Sequence, residues 1–151
     1  MRTQHRQFYA MALAAAVFVG TANTPLSAQD LNTALGVWAD EDGDSNIRIA
    51  PCGANFCGQI VWLKSPKTAD GQPKTDVMNP DKSLRSRPLL GMTIIAGLRP
   101  DRKRKRLKGR VYNANDGQIY DIYLKPRGMK MRVKGCFIGI LCGSQTWTRV
   151  R

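Results

Sequence analysis

The chain has one imidazole, His5, and it lies in an N-terminal stretch that bears the marks of a removable export signal. The part that remains carries no histidine, which excludes Ser-His-Asp and Cys-His catalysis, His-ligated zinc and an imidazole general base at neutral pH. Four cysteines are the next candidates for chemistry. Cys52 and Cys57 are separated by four residues and Cys136 and Cys142 by five, and both pairs sit in glycine-containing turn sequence. In an exported chain they read as two disulfides. Three connectivities are open; the local pairs Cys52 with Cys57 and Cys136 with Cys142 are favoured because each staples its own turn, worth roughly 2 kcal/mol apiece from chain entropy. An oxidising compartment disfavours a four-cysteine zinc site, and neither pair has the two-residue spacing of a thioredoxin-like dithiol. Neither a metal nor a cofactor is expected.

The acids offer little catalysis. Ten of the eleven are Asp, and Asp40, Glu41, Asp42 and Asp44 crowd around Gly43, where a chain reversal is expected rather than a pocket. A calcium loop would need a terminal Glu that is absent. A carboxylate-dependent hydrolase would need Asp76 or Asp81 to face Asp121 across a cleft, and nothing in their spacing supports this. The expectation is a protein that is not an enzyme.

The elements that must position these residues are strands. Arg2 and Arg6 precede an apolar run over residues 8–20, acids are absent before Asp30, and Leu26-Ser27-Ala28 ends in a small residue suited to signal peptidase. Residues 1–28 thus read as a signal peptide and 29–151 as one domain, placed in the periplasm or secreted. From Leu35 onward the hydropathy alternates with period two; residues 129–134 put Met129, Met131 and Val133 on one face and three cations on the other. Eight candidate strands bounded by turn residues lie near 36–40, 46–50, 58–63, 91–98, 107–113, 118–125, 128–134 and 144–150. An antiparallel up-and-down β-barrel accommodates them and removes exposed edges; a β-sandwich is the competing architecture. The polar, Pro-containing link over 64–90 is long enough to be a lid or binding loop, and Asn79-Pro80-Asp81 predicts a short helix through about Arg85 with Asn79 as its N-cap.

Two binding surfaces follow. The inward faces would bring Trp62, Tyr120, Ile122, Met129 and Met131 around a small apolar or amphipathic ligand, with Arg85 and Arg87 meeting an anionic head group at the mouth. The second is electrostatic. Residues 29–98 hold 7 basic and 8 acidic side chains, whereas 99–151 hold 15 and 3. Arg102, Lys103, Arg104, Lys105 and Arg106 form the centre of that excess, so anionic envelope lipid or polysaccharide is the alternative partner. Nucleic acid is not expected, because no aromatic residues interleave with the run. No second apolar segment approaches membrane-spanning length.

Trp38 in Gly36-Val37-Trp38 and Arg149 in Trp147-Thr148-Arg149 would be neighbours in a closed barrel, with the guanidinium lying on the indole. A local echo, Cys57-Gly58 with Trp62 and Cys142-Gly143 with Trp147, suggests two strands that leave a stapled turn and then bury a tryptophan. The ordered set of Gly36-x-Trp38, Cys52 to Cys57-Gly58, Asn79-Pro80-Asp81, Arg87-Pro88-Leu89-Leu90-Gly91, Asp116-Gly117-x-x-Tyr120 and Gly135-Cys136 to Cys142 resembles the bacterial family catalogued as domain of unknown function 2147. It spans essentially the whole chain after residue 28. The resemblance implies an exported, lipocalin-like small barrel and supplies no catalytic residues. The chain departs from the family pattern at Leu107, at Asn113-Ala114 and in its strongly basic run at 102–106.

Overall fold

The computed structural model describes residues 33–150, so the signal segment expected over 1–28 lies outside the described residues. Eight strands, β1 (Gly36–Ala39), β2 (Ser45–Cys52), β3 (Asn55–Leu63), β4 (Thr93–Asp101), β5 (Arg106–Asn113), β6 (Gln118–Arg127), β7 (Lys130–Phe137) and β8 (Leu141–Arg149), form one closed antiparallel barrel. Each pairs with its sequence neighbours, and β1 closes onto β8 through the Trp38 and Arg149 register, which excludes the sandwich. Alternation sets the faces. In β7, Met131 and Val133 are buried while Lys130, Arg132 and Lys134 are exposed.

Up-and-down topology sorts the connections between two ends. The β1–β2 turn, the 64–92 link, the β5–β6 turn and the β7–β8 turn share one end. The β2–β3 turn, the β4–β5 loop with its 3₁₀ turn at Arg102–Arg104, the β6–β7 turn and the segment entering β1 share the other. This second end is packed solid. Trp38, Leu98, Leu107, Leu124 and Met131 are at most 1% exposed and form one cluster. One disulfide staples each end, Cys52–Cys57 across the β2–β3 turn and Cys136–Cys142 across the β7–β8 turn.

The Gly-x-Trp motif has a steric reason. Trp38 Nε1 donates to the Ala34 carbonyl at 2.8 Å, and the Arg149 guanidinium lies 4.2 Å from the Trp38 ring, with Nη1 donating to the Leu35 carbonyl at 2.8 Å. A Cβ on Gly36 would stand 2.7 Å from Arg149 Nη1, and its φ of +118° disfavours other residues. Glycine therefore clears the path along which Arg149 seals the floor. Replacing Arg149 by Ala is expected to remove the cation–π contact and two charged hydrogen bonds, to the Leu35 and Thr33 carbonyls, at about 2–3 kcal/mol, measured by urea unfolding. Stability within about 0.5 kcal/mol of the parent would mean that the floor does not depend on this contact.

The long link is an ordered strap. Thr75 bridges to Pro88, Leu89 N donates to Lys74 O, and the strap rejoins β3 through Gly91 N to Ile60 O. Gly117 in the β5–β6 turn has φ +71°, and a Cβ there would be 2.1 Å from the Met78 carbonyl, so the strap packs directly on that turn. The helix expected over 79–85 is reduced to a 3₁₀ turn at Lys82–Leu84, capped by Asp81 rather than Asn79. Asn79 bonds Asp76 through its amide and accepts the Asp81 N–H through its carbonyl, an Asx turn that precedes the 3₁₀ turn rather than starting it.

Candidate functional site

The end opposite the packed floor is hollow. A cavity of about 890 Å³ opens there, a size typical of small-molecule sites. Its wall includes Ile47, Ile60, Ile122, Val133 and Trp147, while Asp40, Glu41, Asp44, Lys64 and Lys74 give the mouth both signs of charge. Lys64 pairs with Asp44 at 3.4 Å, both well exposed, and among the described residues no carboxylate pairs with Lys74. Trp147 Nε1 is satisfied by Gln145 Oε1 at 3.1 Å, which lets a large indole stand in the wall without an orphan donor.

Two glycines enlarge the space. Gly135 on β7 and Gly143 on β8 are cross-strand partners, both border the cavity, and a Cβ on either would meet nothing within 4 Å. Bare backbone therefore stands where side chains would otherwise fill the barrel. The signal was legible in phase, since Gly135 follows Met131 and Val133 at two-residue intervals on the inward face.

The strap is fixed beside this cavity by a carboxylate. Asp76 is fully buried, accepts from Tyr112 Oη at 2.6 Å, Asn79 Nδ2 at 2.7 Å and Arg87 Nε at 2.9 Å, and forms an ion pair with Arg87 Nη2 at 2.8 Å. Burial alone would raise its pKa, but the hydrogen bonds from Tyr112, Asn79 and Arg87 outweigh it and hold the carboxyl below its ordinary range. Burial, followed by the bond to Asp76, raises the Tyr112 phenol. Asp76 is thus an ionised anchor, not a proton donor. Asp81 caps the 3₁₀ turn and Asp121 is exposed on β6 opposite the inward Ile122, so the carboxylate pair a hydrolase would need is not formed by these residues.

The expected ligand residues separate. Tyr120 and Ile122 border the cavity, Tyr120 with its hydroxyl donated to Asp116 Oδ2 at 2.6 Å, a bond that raises the phenol pKa. Trp62 does not: it is 45% exposed on the outer face. Asn46 pairs with Trp62 but Ile47 with Ile60, so β3 carries an extra residue at Val61, and this bulge reverses the alternation. Leu63, not Trp62, borders the cavity, and the echo with Trp147 fails because β8 has no such bulge. Met131 is buried in the packed end, and Met129 lies 44% exposed in the β6–β7 turn. Arg87 is committed to Asp76 and Arg85 Nε to the Asn79 carbonyl at 2.7 Å; neither borders the cavity, and Lys64 and Lys74 stand at the mouth instead. Of the basic run, Arg106 is taken by Asp101 at 3.1 Å and by the Tyr123 ring at 3.7 Å, while Arg102, Lys103, Arg104 and Lys105 are exposed at the end away from the mouth. Among the described residues no cluster of three or more His, Cys, Asp or Glu is placed to hold a metal, and no helix is long and apolar enough to cross a membrane.

A family model described as uncharacterized protein conserved in bacteria (DUF2147) matches residues 36–149. No curated protein matches the chain. Among solved structures, protein HP1028 from the human pathogen Helicobacter pylori, described as belonging to the lipocalin family, superposes with a TM-score of 0.65 at 20% identity, over 78% of this chain and 83% of that one. At that identity the likeness is one of fold.

Proposed function

The chain belongs to the bacterial DUF2147 family, and from that premise we propose that it is an exported, non-enzymatic binding protein that holds a small apolar or amphipathic molecule in its half-open barrel. The observation that carries this reading is the open cavity of about 890 Å³, whose lining is of mixed polarity, with Ile60, Val133 and Trp147 in its wall and charges of both signs at its mouth. An acyl or isoprenoid chain would replace water against Ile60, Ile122 and Val133. Lys74, free of a carboxylate among the described residues, would face an anionic head group. Two disulfides and the N-terminal Arg-apolar-small pattern support export to an oxidising compartment, the periplasm or the medium.

Native mass spectrometry of the protein purified from its own cells tests the reading. The expected result is a discrete added mass that denaturation releases, together with an intact mass four hydrogens below that of the reduced chain for the two disulfides. A bare protein mass, with no uptake of fluorescent fatty acid, would overturn it.

A further inference from the structure

Independently of the cavity, we infer that the outer wall of β4–β7 and the closed end of the barrel form a docking face for an anionic phospholipid bilayer. The register carries the argument. Arg99 pairs with Lys108, whose other neighbour Tyr123 pairs with Lys134, and one row nearer the closed end Lys125 pairs with Arg132. Arg127 and Lys130 bound the adjoining turn, and exposed Arg102, Lys103, Arg104 and Lys105 extend the same end. Two separate stretches of sequence, 99–110 and 125–134, thus become one two-dimensional array of cations.

This array is costly to the fold itself. Like charges directly opposite each other on neighbouring strands repel, and both the Arg99–Lys108 and Lys125–Arg132 pairs are of this kind. Among the described residues the only carboxylate ion pair on this side is Arg106 with Asp101. Lys105 adds a left-handed backbone at φ 48°. Asp101 also acts on Lys108, and Asp121 stands opposite Arg110, but no carboxylate stands opposite the Lys125–Arg132 pair in the register, and an external anion would relieve its repulsion.

Met129 distinguishes a bilayer from a soluble polyanion. It stands 44% exposed in the turn between Arg127 and Lys130, an apolar side chain flanked by cations, which suits the boundary between phosphate head groups and acyl chains. An anionic polymer would satisfy the cations and leave Met129 in water. The mouth carries both signs of charge, the Asp40, Glu41, Asp42 and Asp44 turn beside Lys64 and Lys74, whereas the closed end is predominantly cationic; charge therefore directs the closed end to the membrane, although Ile138, Ile140 and Leu141 at the mouth end are more exposed than Met129.

The test is co-sedimentation of the chain lacking residues 1–28 with phosphatidylglycerol–phosphatidylethanolamine vesicles against phosphatidylcholine vesicles. Binding is expected only to the anionic vesicles and to fall steeply with salt. Replacing Arg102, Lys103 and Arg104 by Ser should weaken it about a hundredfold. Arg132→Ser with Lys134→Ser should weaken it further, and unchanged thermal unfolding would show that the fold survives. A fluorophore at position 129 should shift to the blue on binding, whereas one at 140, in the β7–β8 turn at the mouth, should not. Retained affinity in the triple variant, equal binding to phosphatidylcholine, heparin binding without vesicle binding, or insertion of position 140 would each overturn the inference. Because the fatty-acid cavity is not involved, this result and the cavity result can fail separately.

Discussion

Asp76→Ala is expected to destabilise the barrel by about 3 kcal/mol and to open the 64–92 strap to proteolysis. Removing one member of a buried ion pair costs about 3–5 kcal/mol, because the partner charge is left without compensation. Here the Arg87 side chain is 39% exposed and can partly rehydrate, which places the cost at the lower end of that range. Tyr112 and Asn79 lose their acceptor at the same time, and both lie at the seam between strap and barrel. The pH dependence has a definite sign. The folded pKa of Asp76 is lowered from 3.8, so its contribution is complete above that value and is lost as pH falls through the lower folded value. The parent should therefore lose stability at acid pH along a curve that the variant does not follow. Urea unfolding across that window checks both statements; parallel curves for parent and variant would remove Asp76 from the account.

Gly135→Phe is expected to weaken binding of a fluorescent fatty acid by up to about a hundredfold while leaving the fold intact. The position has no strained φ, and nothing lies within 4 Å of a Cβ built there, so the ring enters the cavity rather than the wall. Strand glycine is itself unfavourable, so stability should hold or rise by about 0.5 kcal/mol. Steric overlap with a bound chain costs about 1–3 kcal/mol, which is up to about a hundredfold in affinity. Trp62→Ala is the contrast. That indole lies outside the barrel, so affinity should be unchanged. Equal affinity in the Gly135 variant would mean that the ligand does not occupy this cavity; a loss in the Trp62 variant would move the site to the outer face.

Period-two alternation was sufficient to place eight strands in order, because a half-buried strand needs one apolar face whatever its partners are. The disulfide pairs were legible for a related reason: a short loop bounded by two cysteines and containing glycine can close on itself without help from the rest of the fold. The Trp38–Arg149 seal followed from topology, since closure makes first and last strands neighbours.

Chain-local pattern thus determined strand number and order, along with the uneven division of charge, and favoured the local disulfides among three connectivities, which the structure then settled. Tertiary structure decided everything that depends on phase and on distant partners. One extra residue in β3 turned Trp62 outward, and whether a strand carries a bulge is settled by its neighbour's register rather than by its own composition. The buried Asp76 drew the Arg87 guanidinium and the Asn79 amide onto itself, keeping Arg87 from the mouth, because a desolvated carboxylate takes whatever donors the fold brings within reach. The hollow beside Gly135 and Gly143 exists only when both glycines face inward across one ladder. Alternation is a property of residues two apart; a cavity, an anchor and a charged face are properties of residues that meet only after the barrel has closed.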